Sequence, residues 1–153
     1  MRELGARGGP VHVHKGGVHH FVPLPGDTRF AGRALDVSAL DQILDLDVEG
    51  LTCTAEPGAT FADVVRRTLP HGLVPKVVPE LEGITLGGAV AGCSVESMSF
   101  RYGGFHDTCR EYEVVTGTGD RRILGPGDEL FHMVHGSYGP LAILTKVVFE
   151  LVE

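Results

Sequence analysis

Tryptophan is absent from these 153 residues, which carry only three tyrosines and seven phenylalanines, so an aromatic binding platform is not what this chain is built for. Basic charge is also scarce: 13 Lys and Arg stand against 20 Asp and Glu, for a net charge of −7, and the cations are scattered. A general nucleic-acid surface, which needs clustered Lys and Arg, is thereby excluded. The three cysteines (Cys53, Cys93, Cys109) form no CxxC pair and no apolar run opens the chain, so a reduced, cytoplasmic protein without signal peptide is expected. No apolar run is long enough to cross a bilayer. Neither the dinucleotide fingerprint GxGxxG nor the GK[ST] of a P-loop is present, and there is no repeat or low-complexity linker.

What the chain does have is glycine, 22 residues of it, and a length at which roughly 70% of the unfolded surface can be buried in one unit or two small lobes. Short strands are expected at Val11–His14, Ala34–Val37, Ile43–Leu46 and Leu51–Glu56, and Pro23–Gly32 reads as a loop. Thr60–Leu69 (TFADVVRRTL) is the clearest helix. Thr60 and Asp63 form a capping box, Phe61, Val64, Val65, Thr68 and Leu69 make one apolar stripe, and Pro70 ends it. Beyond residue 100, Glu111–Thr116, Arg121–Leu124 and Ile143–Val152 alternate as antiparallel strands do, with a helix over Asp128–His135. The texture changes near Pro79, giving an α+β chain with a small α/β lobe over about 1–79 and an antiparallel-sheet lobe over about 80–153, the seam being a place for a ligand.

At that seam lies PELEGITLGGAVAG (residues 79–92). Thr85 as N-cap, followed by Gly87 and Gly88, is expected to leave helix N–H groups bare for a phosphate. Onward, Gly92, Ser94, Ser97 and Ser99 keep the chain slim enough for a long flat ligand to lie along the backbone, with amides and hydroxyls at its polar edge. Close packing of the helix is the competing reading of these glycines.

The runs LDVSALDQILDLDVEG, EPGATFADVVRRTLPHGLVPKVVPELEGITLGGAVAGCSVESMSFRYGGFHD and DELFHMVHGSYGPLAILTKVVFEL together resemble the PCMH-type FAD-binding domain of the vanillyl-alcohol oxidase flavoprotein superfamily, nearest to its delta-24-sterol reductase-like branch. The resemblance covers about Ala34–Val152. It implies two α+β lobes with FAD between them, in a domain that serves an FAD-linked oxidoreductase by holding the flavin for hydride or electron transfer. It places the main flavin contacts at Thr85, Leu86, Gly87, Gly88, Gly92, Cys93, Ser94, Glu96 and Ser97, preceded by Pro79 and Glu80 and continued by Ser99, Arg101 and Tyr102. Gly139, Leu141 and Ile143 fall where the family's loop meets the adenine. Lys15, Gly16, Gly17, Val18, His19 and His20 fall where its first diphosphate-binding loop lies, more loosely matched. Relatives usually carry glycine at the place of Ser94. The family also has a substrate-binding cap domain after the FAD domain, for which this chain has no counterpart before Glu153. The alternative is therefore a non-catalytic flavin-binding module that needs a partner chain or cap, and a homo-oligomer or separate substrate-binding subunit is expected to cover the flavin. No catalytic residue is assigned.

The histidines weigh less. His12 and His14 alternate along a strand and His19 and His20 follow a glycine turn, but no acidic ligand stands at cupin spacing, so no metal is expected. His19 or His20 is a candidate for the covalent FAD link that some members of the superfamily form. Cys93, among small residues, reads as a packed thiol. Glu129, His132 and His135, at i, i+3 and i+6, do not make a metalloprotease face.

Overall fold

The computed structural model describes residues 9–14, 26, 28 and 31–153. Two strands, β1 (Val11–His14) and β2 (Arg33–Asp36), pair in parallel, Val11 opposite Arg33 and His14 opposite Asp36. The second sheet is antiparallel throughout. Its strands are β3 (Ile43–Asp47), β4 (Thr52–Ala55), β5 (Val74–Pro75), β6 (Cys109–Thr116), β7 (Arg121–Leu124) and β8 (Ala142–Val152), in the order β3-β4-β8-β6-β7 with β5 also on β8. With its helices this makes the expected α+β fold. Strands from both sides of residue 79 share the sheet, β4 pairing with β8 from Thr52–Glu150 to Ala55–Val147. Hydrogen bonding thus does not break where the texture of the sequence changes, and the parallel pair is the part that stands apart.

The long strand β8 organises the core because every second residue from Val147 onward, Val147, Phe149 and Leu151, is buried, the period-two pattern of a sheet with one covered face. In register, Phe149 lies between Cys53 of β4 and Cys109 of β6. Onto this face packs α1 (Phe61–Thr68), which buries Phe61, Val64 and Thr68. Its capping box is formed as the sequence implies: Thr60 Oγ1 accepts from the Asp63 N–H at 3.2 Å and Asp63 Oδ2 from the Thr60 N–H at 3.3 Å. The hydrogen bonds from Thr60 and then Arg66 hold the Asp63 carboxyl below its ordinary range. Leu69, expected on the buried stripe, is 58% exposed. It opens a 3₁₀ turn, Leu69–His71, whose tighter winding rotates it off the helical face, and Gly72 closes the turn with a φ of +74°.

Three further helices are short: α2 (Leu86–Ala91), α3 (Ser99–Tyr102) and α4 (Glu129–Met133). Leu86, Ala89 and Val90 of α2 join the core, where the Phe105 ring bridges Phe61 (centroids 4.8 Å apart) and Phe149 (5.4 Å). So α2 is seated on the sheet by its apolar side, and Gly87, Gly88 and Ala91 stay half-buried.

Candidate functional site

The start of α2 corrects one expectation from the sequence. Thr85 is the N-cap, buried, and its Oγ1 accepts from the Gly88 N–H at 3.2 Å. The Leu86 N–H donates to Ala59 O (2.9 Å), the Gly87 N–H to Pro57 O (2.8 Å) and the Ala89 N–H to Thr85 O (2.9 Å). None of these amides is left bare for a phosphate. The reason is an antiparallel bridge between Thr60 and Thr85, the N-caps of α1 and α2. Phe61 N–H donates back to Ile84 O at 3.1 Å, so each helix start satisfies orphan donors of the other. Gly87 makes this approach possible, since a Cβ there would lie 2.7 Å from Pro57 Cβ. At Gly87 the packing reading holds.

The other end of α2 is where small residues meet solvent. Gly92 closes the helix, Cys93 follows with a φ of +52°, and the Ser94 N–H reaches back to Ala89 O at 2.9 Å. Two straps hold this end. In one, the Gly136 N–H donates to Val90 O (3.4 Å) and the Tyr138 N–H, at a φ of +55°, to Ala91 O (3.1 Å). In the other, the Phe105 N–H donates to Ser94 O at 2.9 Å. A Cβ on Gly104 would lie 3.0 Å from that same oxygen, and one on Gly136 would lie 3.3 Å from Cys93 Sγ. Left-handed backbone at two non-glycine residues costs on the order of 1 kcal/mol each, and such strain persists where the surroundings dictate it.

Gly87, Gly88, Gly92, Cys93, Ser94, Glu96 and Ser99 are half-buried and Ser97 is exposed, so one slim run is open along its outer side. Glu96 and Ser99 form a closed turn, the Glu96 N–H on Ser99 Oγ and the Ser99 N–H on Glu96 O, both at 2.9 Å. Pro79 is buried and Glu80 exposed, while Leu86 is fully buried, which commits its side chain to the core. Arg101 is exposed, and the half-buried Tyr102 has the Arg101 guanidinium 5.2 Å and Lys76 Nζ 5.4 Å from its ring centroid. Lys76 pairs with Glu150, which also holds Arg110 at 2.9 Å. Gly139, at a φ of +100°, has no atom within 4 Å of where a Cβ would sit. Leu141 is exposed, and Ile143 lies in β8 opposite Val115. Lys15, Gly16, Gly17, Val18, His19 and His20 lie outside the described residues, and with them the covalent-link candidates, as does most of the Pro23–Gly32 loop.

Behind the run lies a cluster that sequence order concealed. Tyr112, fully buried on β6, stacks on Phe131 (4.5 Å) and shares a 3.1 Å hydrogen bond with His135 Nε2. The His106 ring lies 4.9 Å from that of His135. Only the dyad His-Asp after Gly103-Gly104 hinted at it. Burial, and then the nearby His106 and His132, push His135 down to about 4. Burial also raises all three thiols, Cys53 and Cys109 to about 12 and Cys93 by less, with Asp107 adding to the last. Burial thus disfavours the Cys93 thiolate, the form that a nucleophile needs. Among the described residues no three His, Cys, Asp or Glu side chains are arranged to hold a metal ion, and no helix is long and apolar enough to cross a membrane.

Comparison with known proteins identifies the family. The family described as "FAD binding domain" matches residues 1–125. The chain is 36% identical over 124 residues to the Delta(24)-sterol reductase homolog dhcr-24 of Caenorhabditis elegans, covering 74% of this chain and 24% of that protein. It is 31% identical over 121 residues to Delta(24)-sterol reductase of Pisum sativum (77% and 21%). To decaprenylphosphoryl-beta-D-ribose oxidase of Mycolicibacterium smegmatis it is 29% identical over 124 residues (78% and 27%). The chain thus spans about a quarter of the length of these relatives. A run in which Gly92, Cys93, Ser94 and Ser99 are only half-buried and Ser97 is exposed fits a flat cofactor laid along backbone.

Proposed function

The chain belongs to the FAD-binding domain family of the vanillyl-alcohol oxidase/PCMH flavoproteins, its cofactor is FAD, and from that premise we propose that it holds the flavin against Gly88–Ser99 for hydride or electron transfer. The observation that carries this reading is the open run of small residues at the exit of α2. Bound FAD supplies the redox chemistry, and the protein supplies position and electrostatics. In this reading the Gly92–Ser94 backbone lets the ring system approach. The Ser97 and Ser99 hydroxyls and the Glu96 carboxylate would serve its polar edge, and Gly139 and Leu141 would serve the adenine. The diphosphate belongs to Lys15–His20 and not to the start of α2, whose amides are already engaged. The three free thiols support a reducing, cytoplasmic setting.

Val95 and Met98 within the run and Phe100 just after it are exposed, Phe100 by 85%. They favour a second reading, in which a further segment, a partner subunit or a second copy covers the flavin before substrate can be turned over. Sterol reduction is the activity named for two relatives, and a related substrate is proposed here on that ground alone.

The test is the visible spectrum of the purified chain, before and after added FAD, beside Gly88→Val. Flavin absorbance that the variant fails to retain while keeping its circular dichroism supports the reading. A chain that takes up no FAD overturns it, and equal retention by the variant removes Gly88 from the site.

A further inference from the structure

Both straps that hold the exit of α2 are anchored on histidines. His135 immediately precedes Gly136, whose N–H donates to Val90 O, and His106 follows Phe105, whose N–H donates to Ser94 O. The two imidazoles lie 4.9 Å apart at a tilt of 53°. His135 also contacts the rings of Phe131 (5.2 Å), Tyr112 (5.7 Å) and His132 (5.8 Å). His106 is mostly buried, its Nδ1 enclosed without a hydrogen-bond partner among the described residues.

We propose that His135 is an acid-operated latch: as a neutral ring packed against His106 it closes the straps over Gly92–Ser94, and its protonation opens them.

The geometry makes the neutral pair the closed state. A proton on His135 would place a charge among the rings of Phe131, Tyr112 and His106, in surroundings poorer in water than bulk. The groups that face His135 come from every packed element: His106 and Asp107 from the turn Phe105–Thr108, His132 from α4 and Tyr112 from β6, with Cys109 and Cys93 beyond it on the far side of Tyr112 and Gly136. Asp107 alone opposes the effect, its Oδ2 lying 3.5 Å from His106 Nε2, but that carboxylate also accepts the Gly104 N–H at 2.8 Å and is half-exposed. Burial and its histidine neighbours push His135 down to about 4 in the closed form, whereas an opened strap returns it to the ordinary 6.5. The closed form therefore binds fewer protons. Its advantage is whole above pH 6.5 and is lost as pH falls from 6.5 towards 4. The sheet answers in a lower range. Arg121 holds the Glu113 carboxyl, and Lys76 the Glu150 carboxyl, below their ordinary 4.5, so most of those pairs are still formed at pH 4.5.

The consequence for flavin rests on the function proposed above, and the latch itself does not. The test is a titration of apo protein from pH 7.5 to 4.5 by amide and histidine-ring NMR, for wild type and His135→Phe, with FAD retention measured separately over the same range. The open population is expected to rise at least about tenfold across that range. The Gly136, Tyr138 and Phe105 amides should shift together with His135, while Val114 and Val147 stay fixed, and His135→Phe should abolish the shift. If that variant fails to fold, the contrast between strap and sheet amides in wild type still decides. Strap amides that do not move, or that move only with the sheet, overturn the latch. FAD released in the same window supports its role at the cofactor. A chain that never binds FAD but whose straps open confirms the latch and removes the flavin reading.

Discussion

The sheet face of β4, β6 and β8 and the stretch from Gly92 to Gly104 touch through Phe105, yet they are held by different forces. On the sheet, side chains do the holding: Phe149, Val147 and Leu151 are buried in the core that α1 and α2 share, and Tyr112 stacks on Phe131 of α4. At the exit of α2 backbone does it, through N–H groups of Phe105, Gly136 and Tyr138 on carbonyls of Ser94, Val90 and Ala91. Burial is non-directional and tolerates adjustment, but it leaves no surface to offer. Backbone hydrogen bonds hold a strained, left-handed path while the outer side stays free. A cofactor surface made of small residues needs the second solution, supported by the first.

Five substitutions break or sharpen this contrast. The largest effect is expected for Phe149→Ala, which removes a fully buried ring between Cys53 and Cys109 and costs about 3–5 kcal/mol. Urea unfolding should show the loss, with FAD affinity falling only as the fold does. Next is Gly87→Val, whose Cβ would meet Pro57. It should cost about 1–3 kcal/mol by overpacking, and its pairing with Gly88→Val separates the two glycines: melting for the first, flavin loss at near-normal stability for the second. Thr85→Ala takes away the cap of α2 and should cost about 1 kcal/mol, read as a lowered urea midpoint at unchanged slope. The smallest effect runs the other way. Cys93→Gly relieves a φ of +52° and should stabilise by under about 1 kcal/mol, partly offset by the freer unfolded chain; destabilisation would mean that the thiol's contact at Gly136 matters more than the strain.

The sequence was readable where a pattern is local. The capping box at Thr60, β1 and β7 stand where expected, and β8 begins one residue early, at Ala142. The short β5 and α3 had no periodicity to announce them. The state of the α2 amides was not readable at all, because their acceptors Pro57 and Ala59 lie far back along the chain and come alongside only through the Thr60–Thr85 bridge. For the same reason the slim run from Gly88 to Ser99 was visible as composition, whereas the straps and the His106–His135 pair needed the tertiary fold. His135, weighed with Glu129 and His132 along one helix, lies beyond the end of α4 and finds its partner in the turn after Gly104.

The central claim is that FAD lies on the backbone-held run and not on the start of α2. Amide NMR of the chain titrated with FAD tests it directly. The account predicts shifts at Gly92, Cys93, Ser94, Glu96, Ser97 and Ser99, with Leu86 and Gly87, already bonded to Ala59 and Pro57, and the sheet residues Val114 and Val147 left in place. Shifts centred on Leu86 and Gly87 with the run unchanged, or no shifts at saturating FAD, would contradict it.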